Sequence, residues 1–366
     1  MKETTYSSMI LVGNIILPWQ KRSKAGLVAS LLFLVLMGLS GCSSDSEKYS
    51  FSGSTMGTSY HITVVSGSGV NVSSLSDQVQ RRLDQLDNIF STYKPQSELS
   101  RLNSTEVGQP FSLSPEMLDV LSLSQELYQA TSEAFNPAIG PLVDLWGFGP
   151  MPAGEQLPDD DQITERLLMV DFSQLVIGEN ESVAIKQRPL QIDLSAVAKG
   201  YAVDQVAELL EAKHFHDYLV EIGGELRLSG LNQQNEPWRI GIERPALERG
   251  AAQEIMSLSD TGLATSGDYR NYIDRDGVRY SHTIDPLTGK PVINRLASVT
   301  VIHPNAASAD ALATAFMVMG ESKAMQYAES ENIAAYFIVK DDKSFSERHS
   351  NAFNVLLDNV NEKIKN

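Results

Sequence analysis

Asp310 and Thr314 place a carboxylate and a hydroxyl four residues apart in a segment with helical periodicity. Leu312, Phe316 and Met319 share one arc of that helix, so Asp310 and Thr314 lie together on the opposite side. Two oxygen ligands stacked one turn apart suit a hard divalent cation such as Mg²⁺. The same pair also occurs on ordinary solvated helix faces, so the spacing alone is a weak metal motif.

A second candidate site lies in residues 192–200, where an alternating segment runs into a helix that is predicted to begin with Ser195 as its N-cap. The first N–H groups of a helix, together with the positive end of its dipole, form a natural phosphate site. Asp193 at the end of the segment and Lys199 one turn into the helix could contact such a ligand. A capped helix that merely carries surface charges fits the same residues equally well.

His282 differs from the other five histidines because it lies at the end of a predicted strand, just before the Asp285-Pro286 turn. A histidine titrates near neutrality, so it could act as a general base, or it could simply be a polar residue at a strand end. The chain contains no Gly-x-Ser-x-Gly elbow, which argues against a hydrolase triad. The Gly67-Ser-Gly69 segment lacks the third glycine of a dinucleotide fingerprint, so a Rossmann domain is excluded.

Composition excludes several classes of function and site. The 366 residues contain 29 basic and 46 acidic side chains, a formal charge of −17, and 42% of them are hydrophobic. A chain this acidic repels nucleic-acid backbones, so no nucleic-acid partner is expected. The single cysteine, Cys42, excludes an internal disulfide and a cysteine-based metal centre.

The N-terminal residues predict export and a lipid anchor. Lys21, Arg22 and Lys24 precede 17 uncharged residues that end immediately before Cys42, and Leu39-Ser-Gly-Cys42 resembles the lipobox of bacterial lipoproteins. We therefore expect residues 1–41 to be a signal peptide and residues 42–50 to be the lipidated cysteine with a flexible tether. A single transmembrane anchor is the alternative, since 17 residues approach the minimum span. Residues 1–41 hold four basic residues and one acidic residue, so the mature chain carries −20.

The elements that must position these candidates are predicted from periodicity and turn residues. The chain reads as an α+β or layered α/β protein with strands concentrated in its C-terminal half. Residues 51–345 are expected to form the functional domain, 346–366 a tail, and 150–161 a solvated loop. The predicted helices cover about 77–90, 115–131, 195–210 and 308–319. The predicted strands cover 190–194, 218–222, 225–229, 238–243, 280–284 and 298–302, with a turn at Gly223-Gly224.

Eight segments, in this order and over almost the whole mature chain, resemble the ApbE family of FAD:protein FMN transferases. They are GSTMGTSY (53–60), STYK (91–94), AFNPAIGPLVDLWGFG (134–149), IDLSAVAKGYA (192–202), VEIGG (220–224), ATSGDY (264–269), SHTIDPLTG (281–289) and SADALAT (308–314). The resemblance implies the layered fold of that family, sometimes described as T-shaped. It also implies Mg²⁺-dependent transfer of the FMN moiety of FAD to a threonine hydroxyl of an acceptor protein, with release of AMP.

The resemblance also implies which residues form the site. The metal would be held by Asp310, Thr314 and the backbone carbonyl of Ala196, and several family members carry Glu at the position of Lys199. The flavin contacts fall at positions matching Met56, Tyr93, Ala134, Phe135, Asn136, Asp193, Lys199 and Ile284. The implied acceptors are subunits of redox complexes of the Nqr and Rnf type. The implied location is the periplasmic face of the cell envelope, with the inner membrane favoured over the outer.

The FMN transfer that the resemblance implies agrees with the residues present. Phosphoryl transfer needs positioning and charge neutralisation more than a protein nucleophile, because the acceptor threonine attacks. His282 is then the candidate that removes the threonine proton. Two other functions stay open: a Mg²⁺-dependent FAD pyrophosphatase that uses water as acceptor, and a non-catalytic flavin-binding lipoprotein.

Overall fold

A computed structural model describes residues 46–150, 156–243, 252–268, 272–275, 278–341 and 344–357. The chain divides into Met1–Asp45 and Ser46–Asn366. The signal peptide, Cys42 and the first part of the tether therefore lie outside the described residues. The first strand already begins at Glu47, so the tether expected over residues 42–50 ends earlier than predicted.

The central element is an eight-stranded sheet in which every neighbouring pair is antiparallel. Its strands are β1 (Glu47–Thr55), β2 (Thr58–Ser66), β6 (Asp217–Ile222), β7 (Glu225–Ser229), β10 (Thr261–Gly267), β13 (Leu296–His303), β14 (Ala334–Lys340) and β15 (Phe345–His349). Their spatial order is β1-β2-β6-β7-β10-β13-β14-β15. The ladder from β1 to β15 joins strands that are far apart in sequence.

Three small sheets complete the strand set of the described residues. One contains β3 (Pro110–Ser112), β4 (Leu175–Gly178) and β5 (Val183–Lys186), and the others pair β8 (Trp238–Glu243) with β9 (Ala252–Leu258) and β11 (Tyr272–Arg275) with β12 (Val278–Ser281). Ten of these fifteen strands begin after residue 216, which confirms that strands concentrate in the C-terminal half.

Seven α-helices lie between the strands in the described part of the chain. They are α1 (Val72–Phe90), α2 (Glu98–Ser104), α3 (Pro115–Ala130), α4 (Gly140–Trp146), α5 (Asp160–Leu167), α6 (Ala198–Glu211) and α7 (Ala306–Ser330). Helix α3 begins as predicted, because the Ser114 hydroxyl accepts a hydrogen bond from the Met117 N–H at 3.2 Å. None of the described helices is both long and apolar enough to cross a membrane.

The sheet is covered on both faces, which gives the layered α+β architecture. Apolar side chains of α1, α6 and α7 pack on one face against β2, β6 and β13. The β8–β9 hairpin and residues 351–357 cover the other face, where Trp238, Met256, Tyr336 and Phe353 share a second core. Strands β13 and β14 are therefore buried on both sides, and β14 is apolar from Ala334 to Val339.

The strand predicted over residues 190–194 is wrong. The segment is extended, but its Ile192 forms no backbone ladder. The Asn103 side chain takes the place of a neighbouring strand, accepting from the Ile192 N–H at 2.7 Å and donating to the Ile192 carbonyl at 2.8 Å. One amide side chain therefore satisfies a backbone that alternating hydrophobicity had assigned to a sheet.

The predicted C-terminal tail is also wrong in its first part. Strand β15 lies at the sheet edge, and residues 351–357 form a helical segment that places Phe353 in the core at 0% exposure. In the expected loop at 150–161, Asp159 is the N-cap of α5 and exchanges bonds with Gln162 in a capping box. The strand predicted to reach Ile284 ends at Ser281.

Candidate active site

A cavity of about 310 Å³ lies between the first turns of α6 and α7, the start of β7, the end of β10 and three loop segments, at residues 134–139, 193–196 and 282–286. Ten of the twelve residues predicted for catalysis, flavin and metal line it. They are Ala134, Phe135, Asn136, Asp193, Ala196, Lys199, His282, Ile284, Asp310 and Thr314. Segments separated by up to 180 residues in sequence thus meet around one space, while the role of each residue stays a prediction.

Two aspartates hold the N-termini of α6 and α7 against each other. The buried Asp310 of α7 accepts from the Gly200 N–H of α6 at 3.0 Å. In return, the Asp204 carboxylate of α6 accepts from the Ala306 and Ala307 N–H groups of α7, both at 2.9 Å. Each carboxylate therefore meets the positive end of the other helix.

Gly200 allows the close approach of these two helices. A Cβ at this position would lie 2.3 Å from the Ala306 carbonyl oxygen, which is backbone and cannot move aside easily. The small residue in the first turn of α6 is thus required for Asp310 to reach the site.

Thr314 lies one turn beyond Asp310 and is held from the sheet. Its hydroxyl is 3.1 Å from the Ser266 hydroxyl, near the end of β10. Ser266 lines the same cavity, although sequence reasoning gave it no role. The ATSGDY segment that contains it was the available signal.

Glu225 is the most prominent cavity residue that sequence reasoning missed. It opens β7 directly after the Gly223-Gly224 turn, where both glycines have positive φ, and it is only 4% exposed. One carboxylate oxygen forms an ion pair with the Lys199 ammonium, and the other, Oε2, is buried without a hydrogen-bond partner. Burial and the negative charge of Asp310 raise the pKa of Glu225 to about 7, although Lys199 opposes the shift.

Asp193 and Asn136 fix the wall of the cavity opposite the helices. The Asp193 N–H donates to the Pro137 carbonyl at 2.8 Å, and the Asp193 carboxylate accepts from the Ser195 N–H at 2.8 Å. The Asn136 side chain accepts from the Ala138 N–H at 2.9 Å. Burial raises the pKa of Asp193, so this carboxylate is poorly solvated before any ligand binds.

His282 and Ile284 enter the cavity from the segment after β12. The Phe148 ring meets the His282 ring edge-on, with centroids 6.4 Å apart, and Ile284 forms an isolated bridge with Pro291. His282 therefore lies in a bend beside an aromatic ring, directly after the end of β12, and is not part of the predicted strand.

Met56 and Tyr93 do not line the cavity. Met56 occupies the β1–β2 turn with φ of 47°, and this turn lies beside the cavity, since a Cβ at Gly223 would be 2.9 Å from the Thr58 methyl group. Tyr93 is 68% exposed in the loop between α1 and α2. The flavin contacts expected of these two residues therefore stay predictions, and neither residue borders the cavity.

The oxygen atoms of the cavity fit a hard divalent cation. Within the described ranges, no three His, Cys, Asp or Glu side chains are grouped as a metal centre, so a cation would also need hydroxyl or carbonyl ligands. Asp310 and Thr314 supply a carboxylate and a hydroxyl, and the buried Glu225 Oε2 is a further carboxylate oxygen that has no hydrogen-bond partner in the protein. Carboxylate, hydroxyl and carbonyl oxygens are the ligands that Mg²⁺ prefers.

Comparison with known proteins covers the same region. A model of the ApbE family matches residues 56–337. The FAD:protein FMN transferase of Vibrio cholerae serotype O1 is 42% identical over 323 residues, which is 88% of this chain and 96% of that protein. The FAD:protein FMN transferase of Haemophilus influenzae is 38% identical over 344 residues, with coverage of 92% and 98%.

Solved structures agree with the sequence relatives. The flavin transferase ApbE from Vibrio cholerae superimposes with a TM-score of 0.79 at 42% identity, covering 85% of this chain and 99% of that one. The apo form of the flavinyl transferase ApbE from Pseudomonas stutzeri gives a TM-score of 0.79 at 38% identity, with coverage of 85% and 97%.

Proposed function

The chain belongs to the ApbE family, and on this premise we propose that it is a FAD:protein FMN transferase. The observation that supports this activity most directly is the convergence of Asp193, Lys199, Asp310 and Thr314 on one cavity. All four lie in segments that fall inside the matched family region. The cavity offers oxygen ligands for a cation, an ammonium for a phosphate and apolar walls for a ring.

The proposed reaction replaces one phosphorus–oxygen bond by another. The threonine hydroxyl of an acceptor protein attacks the phosphorus of the FMN half of FAD, and the anhydride bond to the AMP half breaks. AMP leaves with the bridging oxygen, and FMN remains joined to the threonine by a phosphoester. The hydroxyl proton passes to His282, the titratable ring at the edge of the cavity.

The chain's own residues would bind and orient FAD. Phe135 and Ile284 supply apolar surface, and Asn136 and Asp193 supply polar contacts at the same wall. The Lys199 ammonium faces the cavity from the first turn of α6, where a phosphate is favoured by the helix dipole. Positioning of this kind is the main protein contribution to phosphoryl transfer.

We propose that Asp310, Thr314 and the backbone carbonyl of Ala196 hold Mg²⁺. When bound, the ion would neutralise charge that develops on the pyrophosphate oxygens. The fit of the oxygen donors and the partnerless Glu225 oxygen support this assignment. A domain with an acidic net charge has few basic groups that could take over the task.

We further propose that the protein is lipid-anchored through Cys42 and acts at the periplasmic face of the envelope. The charged segment, the apolar run and the lipobox-like residues before Cys42 support this location. The proposed acceptors are proteins that present a target threonine, in redox complexes of the Nqr and Rnf type.

One incubation separates the transferase from its alternatives. The protein is mixed with FAD, Mg²⁺ and a peptide that carries an acceptor threonine, and AMP and peptide mass are measured. A transferase releases AMP in step with a peptide that gains FMN. A pyrophosphatase releases AMP and free FMN and leaves the peptide unchanged, and a flavin carrier releases neither. Either of the last two results would contradict the proposed activity.

A further inference from the structure

The two carboxylate oxygens of Glu225 have different surroundings. Oε1 is paired with the Lys199 ammonium, which comes from the first turn of α6. Oε2 is buried, has no hydrogen-bond partner and belongs to a residue that lines the cavity. An unmade hydrogen bond on a buried carboxylate oxygen is costly, so such an atom is expected to meet a cation or a donor in the working state.

The charges around Glu225 are unbalanced. Asp310 and Glu225 are both at least nine-tenths buried, and both line the same cavity. Lys199 supplies one positive charge against these two carboxylates. With all three groups ionised, the cluster carries a net charge of −1, which repels the pyrophosphate of FAD. One divalent cation reverses the sign to +1, and the cluster then attracts the same pyrophosphate.

We propose that Glu225 is a further residue of the metal site, with Oε2 directed to the divalent cation and Oε1 holding Lys199 for the pyrophosphate. This inference rests on the proposed function, because it assigns a residue to the same metal-dependent cavity. Glu225 would thus join two tasks: it adds negative charge for the cation, and it fixes an ammonium for the anionic substrate. The ordered pair also explains why a lysine lies in a cavity that must bind a cation.

The proposal predicts opposite effects on two ligands, measured without an acceptor and therefore without transfer. Mn²⁺ serves as the metal probe, with free Mn²⁺ followed by its paramagnetic resonance signal, and FAD binding is titrated in the presence of EDTA. Glu225→Gln should weaken Mn²⁺ binding by about tenfold or more. It should tighten metal-free FAD binding, because a repelling charge is removed while the amide oxygen can still accept from the Lys199 ammonium. Lys199→Gln should do the reverse, with tighter Mn²⁺ binding and weaker metal-free FAD binding.

Glu208→Gln is the matched control. Glu208 lies on the same helix as Lys199, is exposed, and accepts from the Gln205 side chain at 2.8 Å, but it does not line the cavity. The substitution removes the same charge from the protein and should leave both affinities unchanged. Circular dichroism and the unfolding midpoint without metal show whether each variant folds.

The outcomes separate the inference from the proposed function. If the unsubstituted protein binds no Mn²⁺, the proposed metal site and this inference both fail. If it binds Mn²⁺ and Glu225→Gln binds it as tightly as Glu208→Gln does, only the assignment of Glu225 fails. A parallel loss of both affinities in a folded Glu225→Gln variant would show a merely structural role. If that variant does not fold, the opposite shifts in Lys199→Gln decide, and their absence overturns the proposal.

Discussion

Asp310 both contacts the neighbouring helix and lines the cavity, so its substitutions should be informative. One carboxylate oxygen accepts from the Gly200 N–H, and the residue lines the cavity next to Thr314. Asparagine retains an oxygen for Gly200 but carries no charge, whereas alanine retains neither. The two substitutions therefore distinguish helix contact from cation binding.

Asp310→Ala should abolish Mg²⁺-dependent FMN transfer, and Asp310→Asn should leave weak transfer that needs high Mg²⁺. Thr314→Val keeps the shape of the side chain and removes one hydroxyl, so its loss should be smaller. The measurement is the rate of AMP release with acceptor as a function of Mg²⁺ concentration. An unchanged Mg²⁺ dependence in Asp310→Ala would show that this carboxylate is not a ligand.

His282→Asn tests the assignment of the general base. Asparagine can still form hydrogen bonds but does not titrate near neutrality, so FAD should bind normally while transfer slows by about 10²–10⁴-fold. The slower rate should also lose the rise with pH across the range in which a histidine deprotonates. Near-normal transfer that still rises with pH in this variant would exclude His282 as the base.

At this scale, sequence patterns predicted most of what the structure brings together. Ten of the twelve predicted residues line one cavity. They could be predicted because they belong to long segments that occur in family order. Glu225 was missed because its partner Lys199 is 26 residues away, on a helix, and no local period links a strand to a helix. Tyr93 is exposed and lies outside the cavity, so its flavin contact stays a prediction.

Among the elements, the pair of helices α6 and α7 has the strongest influence on the site. Asp310 and Asp204 cap each other's helices, and Arg227 from β7 donates to Asp204 at 3.0 Å. The proposed metal ligands of α7 are thus positioned by a residue of α6 that does not line the cavity.

Asp204→Asn should lower the free energy of unfolding by about 2–3 kcal/mol. The amide offers one acceptor where the carboxylate served two N–H groups, and the partly buried Arg227 loses the charge of its ion-pair partner. The Mg²⁺ concentration for half-maximal transfer should rise, whereas FAD affinity without metal should change little. Urea unfolding and Mg²⁺ titration of transfer provide the measurements. Unchanged stability would show that the two caps do not hold the helices together.

Helices and strands were predictable where the local sequence carries a capping residue or a hydrophobic period. Helix α3 carries its N-cap and proline in sequence, and it begins where predicted. Strand β14 was not predicted, because it is apolar from Ala334 to Val339 and shows no alternation, whereas β13, which is equally buried, alternates from Ser298 to Val301. Residues 190–194 do alternate, yet a side chain of Asn103 replaces the neighbouring strand, and no sequence period reports such a partner.

For the whole molecule, the N-terminal residues are expected to determine location and not catalysis. Cys42→Ser with the preceding residues intact should abolish acylation and leave a longer, unprocessed precursor, because the thiol that would carry the lipid is absent. The purified variant should transfer FMN at the normal rate. The mass of the purified chain and the transfer assay measure the two effects, and a loss of transfer would show that Cys42 does more than anchor the protein.

The beginning of the folded domain is set by the sheet, and it lies close to residue 46. Strand β1 is an edge strand paired with β2 along nine residues, and Phe51 packs against the main core. A form that starts at Ser46 retains this strand, whereas a form that starts at Gly53 removes most of it. Loss of β1 leaves the N–H and C=O groups along one side of β2 unpaired, and an exposed strand edge promotes association.

The form that starts at Ser46 should therefore be monodisperse and should transfer FMN at the full rate. The form that starts at Gly53 should unfold at a lower temperature and should associate in solution. It should also transfer poorly, because the turn at Met56 beside Gly223 loses its first strand. Thermal unfolding, size-exclusion chromatography and the transfer assay compare the two forms directly. Equal stability of both forms would show that β1 does not belong to the stable domain.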